Sequence, residues 1–150
     1  MKKFSLVLFG VIALILFIPA TQATIFKETI TSDEIIIGDV EVTLDIRPNS
    51  LSFCSKGDWV TCYITPPEGY NVHDIDTTSI FLDTLAAVPD RIGIIDRDFD
   101  GIYELMVKFM RSDVLEMLAG APSYVDLTIT GNFLDGTTFF GMDTIHLVRF

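Results

Sequence analysis

The sequence predicts an all-β fold, a two-sheet antiparallel sandwich with one short crossover helix. Three observations carry this. Apolar and polar residues alternate with period two in several short runs, as at Val40, Val42, Leu44 and Ile46 against Glu41, Thr43, Asp45 and Arg47. Turn-forming clusters such as Pro48-Asn49-Ser50, Pro66-Pro67-Glu68-Gly69 and Asp135-Gly136 punctuate the runs. Only the stretch from Arg111 to Ala119 changes to a helical period.

The N-terminus reads first as an export signal. Met1-Lys2-Lys3 is basic, Phe4 to Ile18 is apolar, and Thr21-Gln22-Ala23 offers small residues for cleavage before Thr24. The apolar run is shorter than the ~20 residues a membrane span needs. We therefore expect a signal peptide over 1–23, an N-terminal strand segment over 24–39 and a sandwich domain over 40–150. The expected location is secreted or at the cell surface, with no membrane span after cleavage. The chain has 10 basic and 21 acidic residues. Without Lys2 and Lys3, 8 basic residues face 21 acidic ones, a net charge of −13. Such a surface repels phosphate backbones, which argues against nucleic-acid binding.

Along the mature chain, Ile25 to Ile30 and Ile35 to Ile37 read as short strands. Leu51 to Cys54 and Trp59 to Ile64 flank a turn at Ser55-Lys56-Gly57-Asp58 and read as a hairpin. Two cysteines, Cys54 and Cys62, suit a disulfide in an exported protein. A four-residue loop puts them on opposite faces, whereas a bulge or longer loop lets them pair, so the spacing leaves the bridge open. Val72 to Asp76 leads to a strand at Ser79 to Leu82, and Val88-Pro89-Asp90 turns the chain. In the helix, Val114, Leu115 and Leu118 share one side, Asp113 with Glu116 resembles a capping box, and Gly120 and Pro122 end the element. Val125, Leu127 and Ile129 point inward from the next strand. Asp135-Gly136 then signals a two-residue hairpin into the last strand, from Asp143 to Phe150.

The segment Asp96-Arg97-Asp98-Phe99-Asp100-Gly101-Ile102-Tyr103-Glu104 carries the most chemistry. Asp96, Asp98 and Asp100 fall at positions 1, 3 and 5, and Gly101 at position 6 permits a sharp turn. Ile102 supplies a backbone carbonyl at position 7, and Glu104 is an acid at position 9. Carboxylates converging on one point are favourable only around a hard cation, so these five residues are the expected Ca²⁺ ligands. Arg97 and Phe99 are expected to point outward. The alternative is a turn whose aspartates cap backbone N–H groups. The segment is not an EF-hand, because position 12 is Val107 and a strand follows.

Several fragments occur in an order that resembles a module of secreted bacterial and archaeal proteins. They are Val42 to Pro48 with Asn49-Ser50-Leu51 and Ser55-Lys56-Gly57, Asp74-Ile75-Asp76, Asp96 to Leu105, Leu127 to Gly131, Asp135 to Gly141, and Asp143 to Val148. The resemblance spans about residues 40–150 and implies an Ig-like, non-catalytic extracellular module that binds calcium. Glu104 departs from the aspartate of that pattern, and Asp74 or Asp76 is a candidate outside ligand.

Catalysis is not expected. His73 and His146 sit in no nucleophile motif, and no spacing selects a carboxylate pair for glycoside cleavage, the third and least favoured reading. The function expected is structural or adhesive. The alternative is a carbohydrate- or protein-binding module, favoured if Trp59, Tyr63, Tyr70, Phe139 and Phe140 share one exposed face.

Overall fold

A computed structural model describes residues 40–149. The expected signal peptide and the segment up to residue 39 lie outside those residues. Within them the chain forms two sheets, mostly antiparallel, around one core. The six-stranded sheet contains β1 (Val40–Glu41), β3 (Ser50–Ser52), β5 (Ile75–Leu82), β6 (Leu85–Ala86), β9 (Tyr124–Phe133) and β10 (Thr138–Val148). The four-stranded sheet runs in the order β2 (Thr43–Arg47), β4 (Trp59–Thr65), β8 (Glu104–Met110) and β7 (Ile92–Ile95). Helix α1 (Arg111–Met117) carries the chain from β8 in one sheet to β9 in the other, as the sequence predicts.

Alternation does what the pattern requires. Val60, Cys62 and Ile64 of β4 and Leu105, Val107 and Phe109 of β8 are buried, while their neighbours face outward. Leu127 and Ile129 of β9 and Phe139, Ile145 and Leu147 of β10 meet them from the other sheet. Each fully buried side chain of this size stabilises by about 1.5–3 kcal/mol.

The N-terminal strands change sheets twice. β1 pairs parallel to β10 at Phe139 and Phe140. The chain then crosses to the other sheet as β2 and returns as β3, parallel to β10 at His146 to Val148. Gly141 makes the first crossing fit, since a Cβ there would lie 2.7 Å from the Val42 carbonyl oxygen. Asp143 bridges the gap, its carboxylate accepting the Ile46 N–H at 2.8 Å.

Three expectations are corrected, and the open question of the disulfide is answered. Leu51 to Cys54 and Trp59 to Ile64 are not a hairpin: β3 belongs to the six-stranded sheet, and β4 pairs with β2 and β8. The disulfide is absent, because Cys62 points into the core from β4 while Cys54 is exposed in the connection after β3. The Asp113 capping box does not form, since the helix starts one turn earlier with Met110 at its N-cap and no side-chain cap. The β9–β10 connection is also longer than the two residues expected. Gly136 N–H bonds the Phe133 carbonyl at 2.9 Å, Phe133 N–H bonds the Thr137 carbonyl at 2.7 Å, and Gly136 takes φ +92°. This is a type I turn closed by a left-handed glycine.

Candidate metal centre

β7 and β8 pair antiparallel, with Ile95 opposite Glu104, so residues 96–103 form a hairpin loop at one end of the four-stranded sheet. Gly101 takes φ +88°, as the turn at position 6 requires, and Phe99 takes φ +61°. Asp96, Asp98 and Asp100 each offer a carboxylate oxygen, and these oxygens lie within 4.8 Å of one another. The loop is shaped by two of the same carboxylates. Asp96 accepts the N–H groups of Asp100 at 3.1 Å and Gly101 at 2.9 Å, and Asp100 accepts that of Ile102 at 2.8 Å. The turn-capping alternative is therefore real for Asp96 and Asp100. It leaves spare acceptor capacity, since an ionised carboxylate offers about four lone-pair sites. Asp98 forms no such cap among the described residues.

Glu104 does not join that group. Its side chain is buried, with the residue 5% exposed, on the outer face of the sheet beneath Arg97. Its carboxylate accepts the Arg97 N–H at 3.3 Å and lies 3.9 Å from the guanidinium. Arg97 corrects a second expectation. Instead of pointing outward it folds back over Tyr63, 4.1 Å from the ring centroid, and ion-pairs Asp45 of β2 at 2.7 Å. The hydrogen bond to Asp45 holds its guanidinium pKa above the ordinary value. Phe99 does point outward and is 90% exposed. Asp74 and Asp76, the candidate outside ligands, are not in the converging group. Asp76 caps Thr78 through its N–H and hydroxyl instead, which holds its carboxyl below the usual range.

The chemistry of the convergent set is uniform: three hard, anionic oxygens with no thiol or imidazole among them. That donor set fits Ca²⁺ or Mg²⁺ and not a soft metal. The sequence missed the clamp behind it. Arg97, Glu104, Tyr63 and Asp45 come from a loop and three strands, and no spacing in the chain connects them.

The five aromatics do not form one platform. Trp59 and Tyr63 lie on the outer face of β4, with Arg91 5.1 Å above the first ring and Arg97 above the second. Phe139 is in the core, and Tyr70 stacks on Phe133 at the other sheet. Both imidazoles are engaged, His73 with Asn71 at 3.0 Å and His146 stacked on Tyr124 at 4.6 Å. No helix of the described residues is long and apolar enough to cross a membrane. No protein-family model, curated protein or solved structure matches this chain.

Proposed function

We propose that the chain is an exported, calcium-braced, non-catalytic β-sandwich module with a structural or adhesive role outside the cell. The observation that carries the reading is the convergence of Asp96, Asp98 and Asp100 within 4.8 Å on a loop whose arginine is drawn away to Asp45. Three carboxylates that close repel one another, and a bound cation removes the repulsion. Asp96, Asp98, Asp100 and the Ile102 carbonyl would hold the ion, with Glu104 behind them anchoring Arg97. The ion supplies positive charge that fixes the loop and ties the end of β7 to the start of β8. The basic-hydrophobic start of the sequence supports export, and the ordered fragments shared with secreted Ig-like modules support the role.

Extracellular modules hold calcium with Kd on the order of 0.1–1 mM. At a few millimolar calcium this stabilises by about 1–2 kcal/mol. The test is a thermal melt of the purified protein in calcium and in chelator, beside an Asp98→Ala, Asp100→Ala variant. The expected result is a gain of several degrees for the unsubstituted protein only. Equal melting in both conditions removes calcium and leaves the aspartates as turn caps.

A further inference from the structure

Loop 66–74 and the β9–β10 hairpin meet at one end of the six-stranded sheet, joined by a Leu134 N–H to Asp74 carbonyl bond of 2.7 Å. Between them lies an open depression of about 380 Å³ lined by Gly69, Tyr70, Asp74, Phe133, Leu134 and Asp135. Small-ligand sites occupy roughly 300–1,000 Å³, so the space suits a single side chain or a small headgroup. Its wall is fixed in place. Tyr70 stacks on Phe133 with centroids 4.9 Å apart, and Phe133 rests on the buried Phe139 at 5.3 Å. One face of Tyr70 is thus seated on the core, while the residue remains 43% exposed. Asp135 is also fixed, accepting the Thr137 N–H at 2.9 Å, which holds its carboxyl below the usual range.

The surrounding charge is one-sided. Residues 40–46, 48–55, 57–90 and 112–148 contain no lysine or arginine, so no strand of the six-stranded sheet carries one. Among the described residues, the basic side chains lie on the four-stranded sheet and its loops, on α1 and at Arg149. Several are already engaged: Arg47 and Arg97 with Asp45, Arg91 over Trp59 and Arg149 over Phe53. Asp74 and Asp135, which line the depression, therefore have no arginine or lysine partner among the described residues. An aromatic face beside carboxylates attracts a cation through the ring quadrupole and through charge together. An uncompensated acidic surface steers a basic partner toward that point.

We propose that the Tyr70 depression docks a basic segment of a protein partner, an arginine or lysine side chain lying on the Tyr70 ring with its charge facing Asp74 and Asp135. A neutral sugar uses the same ring and carboxylates but gains nothing from the surrounding field, which is why a cation is the better occupant. The site gives the adhesive reading a surface and does not depend on the metal loop.

The test is an NMR titration of isotope-labelled protein with an amidated peptide of alternating arginine and glycine, carried out in chelator. A glutamate–glycine peptide and cellobiose serve as controls. The expected result is saturable shifts at Tyr70, Phe133 and Leu134 with the basic peptide alone. Tyr70→Ala, and separately Asp74→Asn with Asp135→Asn, weaken binding about tenfold, whereas Tyr70→Phe keeps it within about twofold because the ring remains. Asp126→Asn, which removes a charge from the outer face of β9, also leaves it within about twofold. Equal weakening by all charge variants overturns the proposal, since it shows diffuse attraction. Cellobiose saturating the depression while the peptide is silent, or no saturable binding at all, overturns it too. Because chelator is present, loss of peptide binding and loss of calcium stabilisation are separate results.

Discussion

Cys62 shows how burial sets the chemistry of one side chain. It is fully enclosed by the core, and burial, helped by Asp143 and Asp45, pushes its thiol pKa well above the ordinary range. A thiol-specific reagent should therefore label Cys54 at once and Cys62 only on unfolding. Labelling both at the same rate in the native protein contradicts this burial. A pH dependence follows. The folded protein keeps the Cys62 proton after the unfolded chain has lost its own, so this contribution is complete below the unfolded value of about 8.5 and declines as pH rises above it. Urea unfolding at pH 7 and pH 10 reads the loss, and a Cys62→Ala variant should lack that component of the alkaline decline. Asp76 and Asp135 act with the opposite sign. Their depressed values contribute stability above the ordinary carboxylate range that fades as pH falls through it.

Among the elements, β2 depends on a contact outside its own sheet. One edge pairs with β4, and on the other side the Ile46 N–H finds Asp143 of β10 at a part-buried position. Removing that acceptor leaves the donor unpaired, which costs about 1–3 kcal/mol. Asp143→Ala should lower the urea midpoint accordingly, and Asp143→Asn, which keeps a carbonyl acceptor, should lower it less. Equal unfolding of all three proteins shows that water satisfies the N–H and that the bridge is incidental. Arg111 has a similar place for α1. It is 6% exposed and holds the connection after β3 by donating to the Ser52 carbonyl and the Ser55 hydroxyl. Its Nε has no hydrogen-bond partner, a buried donor left unpaired at a cost in stability.

For the whole molecule, charge is the organising feature. The chain carries a net charge of −11, and basic residues are absent from the strands of the six-stranded sheet. Self-repulsion on that side destabilises the compact state and is screened by salt. Raising monovalent salt from about 0.02 M to 0.2 M should raise the melting temperature of the protein and of its Asp98→Ala, Asp100→Ala variant alike. The same ionic strength with added calcium should separate the two proteins, because screening is general and a metal site is local. A melting temperature that falls with salt shows that the Arg97–Asp45 and Arg47–Asp45 pairs outweigh the repulsion.

The local facts were legible in the residues alone: which positions alternate between core and water, where the chain turns, where α1 lies and which three aspartates share a loop. Period two, glycine and proline placement and ligand spacing are written within a few residues, so Leu105, Val107, Phe109 and Gly101 were all legible. Pairing is not local. The same alternation at Leu51 and at Val60 fits one hairpin or two different sheets, and only the competition of β10, β2 and β8 for partners settled it. The fate of Cys54 and Cys62 followed from that choice, as did the fold of Arg97 over Tyr63 toward Asp45, 52 residues away in the chain. The Tyr70 depression is likewise made by two loops that only the pairing of the six-stranded sheet brings together. Tertiary structure decided these because each contact rests on burial and hydrogen bonding between distant segments, for which no short spacing carries a signal.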